Sequence, residues 1–197
     1  MPEVDNTFPR AWPFGVLKTI QWASPLATLI TIYLGPYIYP SVNFVLFSSW
    51  FFFLQSFVTW LCYLFGFQHS VRPQEAGANA RTYVYIPFAL IDFVAAIVAT
   101  GCFGICALIC VICMIDGFAY RAGVVLTYFF ATVFCLIAGG AFGYFAILIK
   151  RDCPNGNLSN LKTMVIEGTR TSSISINGQT PMQTHVNIGG PTSILTR

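Results

Sequence analysis

The sequence predicts an all-α integral membrane protein: a four-transmembrane-helix antiparallel bundle with a disordered cytoplasmic C-terminal tail. Three observations carry that expectation. Four apolar runs, at about 19–39, 44–67, 83–115 and 122–149, each reach the ~20 residues with which a helix crosses a bilayer. Charged residues make up 9% of the 197-residue chain and hydrophobic residues 56%, whereas roughly a quarter of a water-facing domain is charged. The connections at 40–43 and 116–121 are short enough to demand tight turns between antiparallel neighbours.

The same composition excludes several functions. The net charge of +3 is small, and the basic residues sit at the ends of the runs without forming a face, which argues against nucleic-acid binding. Of the seven cysteines, Cys62, Cys102, Cys106, Cys110, Cys113 and Cys135 lie inside apolar runs and Cys153 follows the last, so no disulfide framework is expected. No Ser/His/Asp, paired-carboxylate or Cys/His constellation can be assembled. The expectation is a protein that is not an enzyme and holds no catalytic residue, metal or cofactor.

Residues 1–18 read as a cytoplasmic arm in which Glu3, Asp5, Arg10 and Lys18 mix with Pro2, Pro9 and Pro13. The arm lacks the short charged head of a cleavable signal, so the first apolar segment is expected to insert as an uncleaved anchor. That segment carries Pro25 near its start and Gly35-Pro36 near its exit, where fraying is expected. Pro40-Ser41-Val42-Asn43 then turns the chain back. In the second segment Ser48, Gln55, Thr59, Cys62 and Gly66 recur at spacings of seven, four, three and four, which form one stripe at ~3.6 residues per turn. We read the stripe as a bundle-facing seam, because Gln55 facing lipid would leave its amide unpaired.

The connection at 68–81 holds His69, Arg72, Glu75 and Arg81 among Gly, Ala and Pro and reads as an exposed loop. His69 has no second ligand nearby and is read as a solvated residue. The third segment carries one charge in its apolar stretch, Asp92. An intramembrane carboxylate needs a partner, and no basic residue lies at its depth in the expected spans. Ser24 or Thr28, Thr59 and Tyr144 are the groups that could meet it, and Asp92 is expected to hydrogen-bond inside the bundle as an assembly determinant. Cys102, Cys106 and Cys110 stack on one helical face, where three thiols cannot close a tetrahedral metal site. With Gly101, Gly104 and Ala107 close to that face, they read as small residues that permit close helix approach. In the fourth segment Gly139 and Gly143 form a GxxxG pair, which serves packing within the bundle or, as the sharper alternative, self-association into a homo-oligomer.

Orientation follows from the basic residues. Arg10, Lys18, Arg72, Arg81, Lys150 and Arg151 flank one side and Arg121 alone the other, which puts both termini in the cytoplasm. The sequon Asn157-Leu158-Ser159 would then never meet the glycosyltransferase. From Arg151 onward Ser, Thr, Asn and Gly dominate, and 150–197 is expected to be disordered. Cys153, directly after Lys150-Arg151, is placed for palmitoylation, and Ser172 or Ser173 after Arg170 offers a weak context for phosphorylation.

Between the last two apolar runs lies a polar knot, Asp116-Gly117-Phe118-Ala119-Tyr120-Arg121, followed by Val124-Val125-Leu126-Thr127-Tyr128-Phe129-Phe130-Ala131-Thr132. This junction resembles that between the third and fourth spans in the MAL, plasmolipin and chemokine-like-factor group of MARVEL-domain proteins. Ile91-Asp92-Phe93 resembles their acidic residue early in span three. The resemblance covers roughly 18–151 and is most specific at 116–121; the outer turn after Arg121 is shorter than in mammalian members, and the tail has no counterpart. What the resemblance implies is a non-enzymatic tetraspan protein of the plasma membrane or trafficking vesicles, which organises membrane domains and takes part in vesicle traffic. Its implied partners are membrane lipids and other membrane proteins. Asp116, Gly117, Tyr120 and Arg121 are expected to shape and anchor the hairpin, with Asp116 and Arg121 paired across the turn. The competing class is a small channel or transporter, or its auxiliary subunit, built around Asp92 and the polar face of span two, where Gln55 and Thr59 lie.

Overall fold

The computed structural model describes residues 7–65, 88–153, 161 and 164–173. Four helices dominate it: α1 (Phe14–Tyr33), α2 (Asn43–Leu64), α3 (Phe88–Gly117) and α4 (Ala122–Asp152). A 3-10 turn at Phe8–Arg10 precedes α1 and another at Pro40–Val42 leads into α2. Three segments, Pro40–Leu64, Phe88–Gly117 and Ala122–Asp152, are long and apolar enough to cross a membrane. α1, with 20 residues, is not among them, because its buried face carries Lys18, Gln21, Ser24 and Thr28.

The first helix differs most from its expected bounds of 19–39. Phe14, Gly15, Val16 and Leu17 extend it towards the amino terminus, and Tyr33 ends it. Pro36 cannot donate the next ladder bond and biases the preceding residue away from helix, so the chain closes with the Leu34 amide on Ile30 O and the Gly35 amide on Ile32 O. α4 continues past 149 to Asp152, which brings Lys150 and Arg151 into its last turn, at the negative end of the helix dipole. The loop at 68–81 with His69, the expected start of span three at 83, Gly66 and the sequon at Asn157 all lie outside the described residues.

α3 and α4 form the most extensive helix pair, and the small residues of α4 explain their approach. A Cβ placed on Gly139 would meet Phe103 Cβ at 3.4 Å, and one on Gly143 would meet Thr100 Cγ2 at 3.4 Å. Thr100 Oγ1 donates to Ala96 O at 2.8 Å and reaches Gly139 O at 3.5 Å. The GxxxG pair therefore works within the bundle. A Gly143→Leu variant is expected to lose about 1–3 kcal/mol through overpacking against Thr100, read as a lower unfolding midpoint in detergent, while Gly143→Ala stays close to wild type. Gly101 and Gly104 do not take the role expected of them. Both are exposed, and a Cβ on either would meet none of the described neighbours within 4 Å, since the face turned inward is that of Ala99, Phe103, Cys106 and Cys110.

The interior is rich in rings and small residues, and the exterior carries aliphatic and aromatic chains alike. Phe52 of α2, Phe103 of α3 and Phe142 of α4 meet with centroids 5.7–5.9 Å apart and all three are buried. Phe47, Leu54, Val58, Leu108, Leu136 and Ile147 are among the exposed side chains. An apolar exterior around a polar seam is what contact with lipid demands of a helical bundle.

The expectation of disorder after residue 150 fails over one stretch. Strands β1 (Met164–Glu167) and β2 (Arg170–Ser173) pair antiparallel through a two-residue turn in which Gly168 takes φ +34°, a conformation that favours glycine. The Gly168 carbonyl accepts the Phe14 amide at 3.0 Å and the Gly15 amide at 3.4 Å, so the hairpin caps the amino end of α1. Leu161 and Ile166 are fully buried there. The composition of the whole tail masked a short apolar and β-branched run that finds the end of the bundle to pack on.

Candidate functional site

The site is assembled by all four helices, three of which supply its polar groups. Because α1 starts at Phe14, Lys18 lies inside the helix and not at its flank. Its Nζ sits 2.7 Å from Asp92 Oδ2 on α3, and both side chains are sealed from the surroundings. From α2, the Tyr63 hydroxyl donates to the same oxygen at 2.6 Å and Gln55 Nε2 reaches Asp92 Oδ1 at 3.4 Å. Thr59 Oγ1 accepts from Lys18 Nζ at 3.4 Å. α4 contributes Phe145, whose ring centroid lies 4.8 Å from the ammonium, with the Tyr63 ring at 5.5 Å on another side.

This arrangement corrects the expected partners of Asp92. A basic residue does lie at its depth, and the sequence reading missed it by assigning Lys18 to the arm. Thr59 belongs to the site through Lys18. Ser24 and Thr28 are buried on α1, but Thr28 donates to the Ser24 carbonyl, and Tyr144 is exposed. The seam of α2 is also shifted. Val45, Ser48, Ser49, Phe52, Ser56, Thr59 and Tyr63 form its buried face, and Gln55 and Cys62 lie at its edge.

The electrostatics favour a closed lock. A desolvated ion pair is offset only when the remaining donors and acceptors are also satisfied. Here the carboxylate receives an ammonium, a phenol and an amide, and the ammonium has a carboxylate, a hydroxyl and two ring faces. Gln21, the next inward residue on the face of α1 that carries Lys18, is fully buried, and neither of its amide atoms has a hydrogen-bond partner among the described residues. Among the described residues no group of His, Cys, Asp and Glu could hold a metal ion.

At the opposite end, the amides of Phe118, Ala119 and Tyr120 bond back to the carbonyls of Ile115, Asp116 and Gly117. Gly117 closes α3 against α4, where a Cβ would come within 3.0 Å of Val124 Cγ1. Arg121 is extended and opens α4. Asp116 and Arg121 are both exposed, and among the described residues they make no ion pair, in contrast to the expected bridge. Phe118 and Tyr120 are the most exposed rings of the knot, at 73% and 71%.

Cys153 departs from what acylation needs. Its side chain is buried in the core at the end of α4, and burial raises the thiol pKa above its ordinary value, whereas the thiolate is the nucleophile. Acyl-exchange labelling of the membrane-bound protein is expected to find Cys153 unmodified, and Cys153→Ser to leave membrane localisation unchanged. No family model, curated protein or solved structure matches the chain.

Proposed function

We propose that the chain is a non-enzymatic four-span membrane protein, with both termini cytoplasmic, that organises membrane domains and takes part in vesicle trafficking through lateral association with lipids and other membrane proteins. The observation that carries this reading is the closed Lys18–Asp92 site. The charged pair, buried near one end of the bundle, is hydrogen-bonded among α1, α2 and α3, so it holds helices together and offers little to a permeant ion. α1 joins the three apolar segments as a fourth span because pairing with Asp92 neutralises its one intramembrane charge. The resemblance of 116–121 to the MARVEL-domain junction supports the same function.

Two measurements test it together. The tagged protein is expected to co-migrate with a defined class of vesicles or lipid domains, and proteoliposomes containing it to show no proton or cation flux above lipid alone. A flux abolished by Asp92→Asn in a folded protein would replace this reading with that of a channel or transporter.

A further inference from the structure

The two turns at the end of the bundle remote from the ion pair bring four tyrosines together. Tyr37 and Tyr120 lie nearly parallel, at 14° with centroids 6.3 Å apart. Tyr39 stands nearly perpendicular to both, at 83° and 71°, with centroids 4.8 and 6.5 Å away. The result has two walls and a floor. Tyr128 fixes two of these members from behind: its hydroxyl donates to the Tyr37 carbonyl at 3.0 Å and accepts the Tyr39 amide at 3.3 Å. Tyr120 is the movable wall, 71% exposed on the knot.

We propose that Tyr37, Tyr39 and Tyr120 form an aromatic box that binds a quaternary ammonium group, supplied by a choline-type lipid headgroup or by a free choline-like solute. Ring faces attract a cation through their quadrupoles. They offer no strong hydrogen-bond acceptor to replace the water around a primary ammonium, so an N-methylated cation is preferred. Arg121 does not fill the box, since among the described residues the cation–π contacts belong to Lys18. The 6.3 Å between the walls must widen by about 2 Å to seat a methylated ammonium between two ring faces, and the exposed Tyr120 can swing outward to do so. An apolar groove of about 550 Å³, lined by Met114, Phe118, Ala122, Val125, Leu126 and Phe129, opens at the same end of the bundle and suits an acyl chain.

The inference rests on the membrane-organising reading for the lipid source, and the two fail separately: loss of headgroup selectivity leaves vesicle co-migration intact. The test is native mass spectrometry of the full chain in detergent with phosphatidylcholine or phosphatidylethanolamine of identical acyl chains. Phosphatidylcholine is expected to be retained about fivefold better. Tyr120→Ala and Tyr37→Leu abolish that preference, and Tyr120→Phe keeps it. Tetramethylammonium chloride is titrated in parallel and followed by tyrosine fluorescence. A response to the salt alone, with the same variant pattern, assigns a free solute; selectivity among lipids without that response assigns the headgroup. Equal retention of the two lipids together with no response to the salt, or an unchanged preference in Tyr120→Ala, overturns the proposal.

Discussion

Replacing Lys18 by Met is expected to destabilise the bundle by roughly 3–5 kcal/mol, the cost of leaving one member of a buried ion pair uncompensated. Asp92 would keep the Tyr63 hydroxyl and the Gln55 amide, yet its charge would have no counter-ion in a site closed to solvent. Asp92→Asn is expected to cost as much, because it leaves the ammonium without a counter-ion against Phe145 and Thr59. The double variant Lys18→Met/Asp92→Asn removes both charges and leaves Tyr63 and Gln55 an amide to bond, so most of the stability returns. Denaturation in mixed micelles reads all three. If the double variant lost the sum of the single losses, the two residues would act independently and the lock would be wrong.

Phe103→Ala has the second largest expected effect. Phe103 is fully buried and touches the rings of Phe52 and Phe142, so its removal opens a hole where α2, α3 and α4 meet. For helices separating within a bilayer the reference state is already apolar, and the transfer part of the usual penalty largely vanishes. The packing part remains, and a loss of about 2–3 kcal/mol is expected, at the low end of large-to-small core changes in water. Phe103→Leu should recover at least half, which the same denaturation experiment measures. A loss below 0.5 kcal/mol would mean that the three rings do not form a common core.

The helical pattern was legible because lipid imposes it: long uncharged runs with short connections leave little other than an antiparallel bundle. Asp92 stood out for the same reason. Its partner was harder to see, since a lysine at the border of an apolar run looks like a topology signal, and the depth of Lys18 depends on where α1 starts. A usable signal was present. Lys18, Gln21, Ser24 and Thr28 share one face of α1 and are all buried, so a polar stripe ran through a segment whose boundary had been drawn by charge. Tyr63 was missed because tyrosine near a span end normally reads as an interfacial anchor. The hairpin at Met164–Ser173 was hidden by averaging a short apolar run into a polar tail.

The central claim is that the buried pair holds the bundle together and takes no part in moving ions. Vesicle co-migration and proteoliposome flux of Lys18→Met/Asp92→Asn, compared with wild type, test it most directly. The account predicts a folded protein that reaches the same vesicles or lipid domains, with no flux in either form. A variant that folds and traffics normally while losing a flux carried by wild type would contradict it.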